Sequence, residues 1–534
     1  MAEALTAGTR DAITQRRTSL GIELGSTRIK AVLIGPDHET IAVSGHSWEN
    51  EYRDGLWTYS LDAVWTGLQH CVAELLTEVR TSYGVELTGV GALGVSAMMH
   101  GYLAFGAADE LLTPFRTWRN TNTGDAAEEL SARFGHNIPH RWSIAHLYQA
   151  LIDGEPHVGR IAHLTTLAGY VHWQLTGEKV IGVGDASGMF PIDVATGDYD
   201  ATMLDIFDNL AAPRGLSSPV RDLLPTVRTA GAPAGHLSAA GARLLDPTGT
   251  LTDGATMCPP EGDAGTGMVA TNSVAPRTGN VSAGTSIFAM VVLEHKLRSA
   301  HPELDLVTTP AGDLVAMVHC NNGASELDAW ASVFTELTVA LGLPADKSAV
   351  FEALMRSALT GDPDCGGLLA YNYLSGEPIT DLEEGRPLVV RTPGSSLTLA
   401  NFMRSQIFAS LATLRIGMDI LQKSENVGVS AMFAHGGLFR TEGVGQRLLA
   451  AAINTPVSVS ATATEGGAWG IAVLAAFGAQ GRGRSLAEYL QHEVFAATTL
   501  QTVEPDPDDR AGFDEFLGRF VAGLPIEQAA VRHS

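Results

Sequence analysis

The 534-residue chain reads as an α/β protein of two duplicated domains, and three observations point there. At about 150 residues per domain, its length asks for two large domains or three ordinary ones. Two stretches, 19–34 and 279–294, each run apolar strand, small-residue turn, apolar strand, the pattern of a hairpin. Elsewhere strands are followed by amphipathic helices, which implies an α/β core with ligand-facing loops at strand ends. Two such hairpins, one near each domain start, predict a duplicated architecture with two jaws around a cleft.

Composition narrows the function. Apolar residues make up 45% and charged residues 17%, enough for a sizeable core and unlike a disordered chain. With 34 Lys+Arg against 59 Asp+Glu, the formal net charge of -25 leaves no general basic field, so nucleic acid is not an expected partner. Cys71, Cys258, Cys320 and Cys365 form no CxxC pair, which argues against a disulfide scaffold or a zinc site and suits a reducing cytoplasm. No run of 18 charge-free apolar residues is present, so no membrane span is expected. Residues 1–17 lack an apolar signal region and read as a disordered extension.

In order along the chain, SLGIEL and IKAVLI flank the turn Gly25-Ser26-Thr27, and TIAVSG follows as a third strand. Apolar spacings of three and four predict a helix over 57–79, through Leu61, Val64, Trp65, Leu68, Val72, Leu75 and Leu76. VGALGVSA (90–97) is a strand running into MMHG, and helical stretches follow over 124–134 and 145–176. After a mixed region at 198–249 comes GDAGTG (262–267), then the second hairpin. Helices are predicted over 325–341, capped by Ser325 with Leu327, Trp330, Val333, Phe334 and Leu337 on one face, and over 398–421 and 444–453. Beyond Leu500 a charged linker and one terminal helix are expected.

The chemistry lies in four small-residue turns: Gly25-Ser26-Thr27, Gly262 to Gly267, Gly284-Thr285-Ser286 and Gly436-Gly437. Backbone N–H groups in such turns, with hydroxyls beside them, bind phosphoryl oxygens, and several together suit a polyphosphate. GxxxxGK[ST] is absent and GDAGTG lacks a βαβ context, which removes the P-loop and nicotinamide readings.

These segments, in this order, resemble the FGGY family of carbohydrate kinases. LGIELGSTRIKAVL (20–33) is similar to the family's first phosphate hairpin and PPEGDAGTGMVA (259–270) to its catalytic-aspartate segment. NVSAGTSIFAMVV (280–292) is similar to the second phosphate hairpin, and 433–457 with ATEGGAWGIAVLAAF (463–477) to the adenosine region. The resemblance implies an actin-like, hexokinase-like ATPase fold of two ribonuclease H-like domains with a catalytic cleft between them. It places an N-terminal domain at 18–268, a C-terminal domain at 269–500, a tail at 501–534 and a hinge near 264–270. VSAMMHG (95–101), PFRTWRNTNT (114–123), DASGMFPIDVATGDY (185–199) and YNYLSGEP (371–378) look like segments of the xylulokinase-like pentulose kinases.

The implied cofactors are ATP and Mg²⁺, and the implied partners are a small sugar and ATP, with a homodimer left open. Asp263 is the expected general base and a metal-side ligand; alone, a GDAG aspartate could equally be an Asx-turn residue. Glu23 stands where the family carries an Asp thought to order Mg²⁺ through water, with one methylene more, and Asp253 is a second acid for that metal. Met99, His100, Trp118, Arg119 and Asn120 are the expected sugar contacts; His100 could instead be a half-buried histidine bonded to a backbone carbonyl. Gly25, Ser26, Thr27, Lys30, Gly284, Thr285 and Ser286 are expected at the phosphates, with solvent as the alternative for Lys30, and Gly436, Gly437 and Glu465 at the nucleoside. The expected reaction is phosphorylation of D-xylulose to D-xylulose 5-phosphate; ribulose, L-xylulose or another ketose or polyol is the alternative acceptor, and a partner-moving ATPase is the reading from another class.

Overall fold

The computed structural model describes residues 2–344, 346–459, 466–481 and 483–533. It divides into two units: residues 1–274, 306–315 and 464–497, and residues 275–305, 316–463 and 498–534. The chain leaves the first unit at Val274 rather than at 268, and the expected hinge at 264–270 lies inside the helix Asp263–Ala270.

The first unit is built on a sheet ordered Thr256–Met257, Ala92–Ala97, Ser19–Leu24, Arg28–Ile34, Thr40–Ser47, with Glu261–Gly262 also paired to Ala92–Ala97. Ser19–Leu24 is antiparallel to its hairpin partner and parallel to Ala92–Ala97. Period-two alternation sorts its side chains. Ile22 and Leu24 are buried with Ile29 and Leu33 on the core face, where the helix Leu61–Tyr83 contributes Val64, Leu68, Val72 and Leu75. Gly21 and Glu23 point to the other face.

On that face Gly21 is in register with Gly94. A Cβ on Gly21 would stand 2.0 Å from Ala468 O and one on Gly94 2.6 Å from Ile471 Cγ1, so two absent side chains make the bed for the helix Gly466–Gln480. That helix carries no charge, and Gly470 lies against the backbone of Thr266 in Asp263–Ala270.

The second unit repeats the topology. Thr278–Ala283 is antiparallel to Ile287–Val292 and parallel to Ala431–His435, which continues to Val457–Val459 and Gln501–Val503. Its core holds the almost wholly buried helix Leu399–Asp419, capped by Thr398, whose hydroxyl accepts from Asn401 N.

Several sequence expectations need correction. Residues 1–17 are not a disordered extension: Ala2–Thr14 is a helix whose Ala12 and Ile13 are buried, tied down by Arg10 Nε donating to Tyr83 O at 2.6 Å. The helix expected from 57 starts at Leu61 because Ser60 caps it and Leu56–Thr58 pairs with Glu51–Arg53 as a small hairpin. The stretch 145–176 is two helices, Ser143–Ile152 and Leu167–Thr176, separated by Gly154, Pro156 and the strand His163–Thr165. Ser325 is the first residue of its helix and caps nothing; of its expected apolar face Leu327 is buried whereas Val333 and Leu337 are exposed. The 501–534 segment is no separate tail. Phe513, Phe516 and Phe520 of the helix Pro507–His533 are fully buried, packed against Phe408 and Tyr371, and Asp509 pairs with buried Arg404.

Among the described residues, no helix is long and apolar enough to cross a membrane.

Candidate active site

The Gly21/Glu23 face of the first sheet collects the chemistry. Glu23 lies directly across from Lys30 and in register with Ser96. Its carboxylate accepts from Ala468 N at the start of the Gly466–Gln480 helix, and a Cβ on Gly467 would sit 2.3 Å from Glu23 Oε1 and 2.8 Å from Thr266 Oγ1. Burial and the nearby Asp263 charge push the Glu23 carboxyl up to about 7, against the pull of Lys30. Lys30 therefore shares the face of Glu23, directly across from it and half-buried.

Asp263 follows the strand Glu261–Gly262, whose Gly262 is in register with Ala97, and opens the next helix. The two parallel strands thus end together, and the turn after Ala97 donates Met99 N–H to Asp263 Oδ1 at 3.1 Å. Burial raises the Asp263 carboxyl to about 6, opposed by backbone N–H groups of Met99 and Ala264. The same turn is strained: His100 has φ 70° and Gly101 φ 92°. A non-glycine in the left-handed region needs surroundings that enforce it. Here His100 is buried, its Nδ1 is 3.2 Å from Gly188 O and its ring stacks on Trp142.

The Gly25–Thr27 turn is braced by three aromatic donors. Trp48 Nε1 donates to Gly25 O at 2.7 Å, Tyr59 OH to Ser26 O at 2.5 Å and Trp118 Nε1 to Ser26 Oγ at 3.0 Å. Trp118 is exposed even though its indole N–H ties the 114–123 segment to Ser26.

Other expected residues do not gather here. Asn120 Nδ2 donates to Trp57 O and Thr117 O and its Oδ1 accepts from Trp57 N, so the buried amide is occupied in holding its own loop to the Leu56–Thr58 strand. Arg119 stacks on Trp57 at 4.1 Å and reaches Asn50. Asp253 is exposed, three residues before Thr256, which pairs with Ala92 at the opposite end of the strand from Ala97. Five residues at about 3.3 Å rise set it more than about 15 Å from Asp263, too far to share a metal with it. Glu465 lies outside the described residues.

Two acids went unseen in the sequence. Asp185 is fully buried; its Oδ2 accepts from Thr166 Oγ1 at 2.6 Å and its Oδ1 has no hydrogen-bond partner among the described residues. Burial first, and the Asp263 charge second, raise it to about 7. Glu261, buried and accepting from Gly184 N and Asp185 N, is held well above the usual carboxylate range by burial and by Asp185. Asp185 sits in DASG, a small-residue turn like GDAG, and that likeness was the available signal.

In the second unit the Gly284–Ser286 and Gly436–Gly437 turns meet. Gly436 has φ 110°, and a Cβ there would stand 2.4 Å from Ala283 O. Gly323, which the sequence did not single out, donates to Thr285 O, and Ala324 to Gly284 O, each at 2.8 Å. A Cβ on Gly323 would stand 2.5 Å from Gly284 O. The second turn is thus enclosed by backbone on two sides.

Among the described residues no group of three or more His, Cys, Asp or Glu side chains is placed to hold a metal ion. The Asp263 charge is close enough to raise the Glu23 carboxyl, and a pair of carboxylates fits Mg²⁺, which takes one or two and completes its shell with phosphate oxygens and water.

Comparisons with known proteins place this geometry. Xylulose kinase of Escherichia coli is 24% identical over 196 residues, covering 35% of this chain and 40% of that relative, so the chain matches about two fifths of its length. Among solved structures, xylulose kinase from Rhodospirillum rubrum superposes with TM-score 0.77 at 21% identity over 96% of this chain and 99% of that one. Gluconate kinase from Lactobacillus acidophilus does so with TM-score 0.77 at 17% identity, covering 95% and 98%. These likenesses show that the chain shares the α/β fold of those kinases. The N-terminal domain of the FGGY family of carbohydrate kinases matches residues 18–247 and its C-terminal domain residues 279–479, and the chain belongs to that family.

Proposed function

We propose that this protein is an ATP-dependent kinase of a sugar or polyol hydroxyl, with D-xylulose as acceptor and D-xylulose 5-phosphate and ADP as products. Asp263 carries the proposal: a half-buried carboxylate at the start of a helix, oriented by Met99 N–H, with its proton affinity raised towards neutrality. That is the condition of a general base, whose pKa works best near the operating pH.

A sugar hydroxyl is a poor nucleophile. As its oxygen attacks the γ-phosphorus, the bond from that phosphorus to the β,γ-bridging oxygen breaks, ADP departs and the hydroxyl proton passes to the Asp263 carboxylate. Asp263 takes the proton, and Met99 and His100 shape the acceptor side. The Gly25–Thr27 turn of the first unit offers backbone N–H groups and hydroxyls to phosphate, and the Gly284–Ser286 turn of the second unit, taken by itself, offers the same groups. Mg²⁺, held by Glu23 and Asp263, would neutralise phosphate charge.

Support for a ketopentose comes from the resemblance of VSAMMHG and PFRTWRNTNT to segments of the xylulokinase-like kinases and from the xylulose kinases among the similar proteins, beside which glycerol and gluconate kinases also stand. The testing experiment is coupled ADP release over pentuloses, hexuloses, glycerol, erythritol and gluconate. Turnover confined to D-xylulose supports the full proposal. Turnover with gluconate or glycerol instead corrects the acceptor, and equal ADP release with and without every acceptor overturns the kinase assignment in favour of a partner-moving ATPase.

A further inference from the structure

We propose that Glu377 and Asn322 are positioning residues for the nucleotide: through the Asn322–Ala324 turn they hold the carbonyls of the Gly284–Ser286 hairpin out of the way of a bound polyphosphate. The inference rests on the kinase reading and adds to it a pair of residues that touch no substrate.

A turn that binds phosphate must present N–H groups and keep its carbonyl oxygens pointed elsewhere, because a C=O aimed at the polyphosphate repels it. In the second unit the carbonyls of Gly284 and Thr285 are each captured, by Ala324 N–H and Gly323 N–H at 2.8 Å. Whatever fixes residues 322–324 therefore fixes the polarity of the hairpin.

The segment that fixes them is YNYLSGEP. Asn322 Oδ1 accepts from Leu374 N at 2.8 Å and Ser375 N at 3.0 Å. Its Nδ2 donates to Ser375 O and to Glu377 Oε2, both at 3.2 Å, and its backbone N–H also donates to Glu377 Oε2, at 3.3 Å. Asn372 Nδ2 donates to Asn322 O at 3.1 Å and Gly323 O at 2.8 Å, and Ser410 Oγ to Gly323 O at 3.2 Å. Glu377, Asn322 and Asn372 are all buried. A buried carboxyl group is expensive to keep for packing alone. Here it serves the one residue whose backbone leads into the Gly323–Ala324 donors. Gly376 is required for the arrangement, since a Cβ there would stand 2.2 Å from Glu383 O.

The test uses the full-length protein and three variants, Glu377→Ala, Glu377→Gln and Asn372→Ala. ADP binding is measured by calorimetry, the KM for ATP and for the acceptor by turnover, and amide exchange over 284–286 and 322–325 without ligand. Glu377→Ala is expected to weaken ADP binding and raise the ATP KM about tenfold, of the order of losing one or two hydrogen bonds. The acceptor KM should stay within about twofold of wild type. Exchange in both segments should quicken. Glu377→Gln keeps an acceptor for the Asn322 N–H groups and should restore most of the binding. Asn372→Ala leaves no unpaired buried charge and should move the same readouts in the same direction, giving the answer if Glu377→Ala does not fold. Unchanged ADP binding in the folded variants, or equal losses in ATP and acceptor KM, overturns the inference. Wild-type protein that binds no ADP overturns the kinase reading instead.

Discussion

At the scale of single residues the strongest commitment is Asp263. Asn in its place keeps the shape and can still receive the Met99 N–H, yet cannot take a proton, so Asp263→Asn should lose about 10²- to 10⁴-fold in turnover while ADP binding survives. A folded variant with more than about half of wild-type turnover would remove Asp263 from the base role. Asp185 and Glu377 permit a different measurement, because burial raises both to about 7. Between the ordinary carboxylate range and 7 the folded protein holds these protons and the unfolded chain has released them, so their contribution to stability falls as pH rises through that window. Buried His136, His146, His163 and His172, all lowered, act in the opposite sense over the same range, so the net profile is not diagnostic. The difference between proteins is. The double variant Asp185→Asn, Glu377→Gln should gain stability relative to wild type on going from pH 5 to pH 8 in urea unfolding, and a constant difference would show that neither acid is held protonated. Asp263 was a candidate from the sequence because its small-residue neighbours are contiguous with it; Asp185 was not, because Glu261, which accepts from its N–H, lies some seventy-five residues further on. Asn120 misled for the converse reason, its polar end facing its own backbone.

At the scale of elements, both hairpins were readable because strand, turn and strand are contiguous and their turn residues are small. The bed for the Gly466–Gln480 helix was not readable. It depends on Gly21 and Gly94 falling in register on neighbouring parallel strands, which periodicity in one strand cannot reveal. Gly21→Ala would drive a methyl into Ala468 O and should cost the first unit about 1–3 kcal/mol in denaturant unfolding, as overpacked cores do. A loss below about 0.5 kcal/mol, the ordinary effect of a surface change, would mean that the helix can move away without penalty. The terminal helix was underestimated because EPDPDDR dominates its start, although Phe513, Phe516 and Phe520 already carry helical spacing. The N-terminal helix was missed because, among its described side chains, only Ala12 and Ile13 are buried.

At the scale of the whole molecule, the duplicated topology was legible, whereas the interleaving of the chain between the two units was not, since only contacts between distant segments define it. A truncated chain of residues 1–274 contains every strand of the first sheet but lacks Gly466–Gln480, which covers its Gly21/Glu23 face. Such a fragment should be poorly packed, binding an apolar dye and giving a broad thermal transition; a sharp, cooperative transition would contradict the covering role of that helix. The same separation sets a schedule on the ribosome. Once residue 274 has emerged, the sheet waits for residue 480, an interval of roughly 10–40 s at bacterial-like elongation speeds of about 5–20 residues per second. Throughout that interval a bare glycine-lined sheet face is presented to the cell, while most of the second unit is synthesised ahead of the segment that completes the first. Maturation of the nascent chain therefore runs out of order, and holdase demand and sensitivity to codon-dependent pausing should peak between these two points rather than at the terminus.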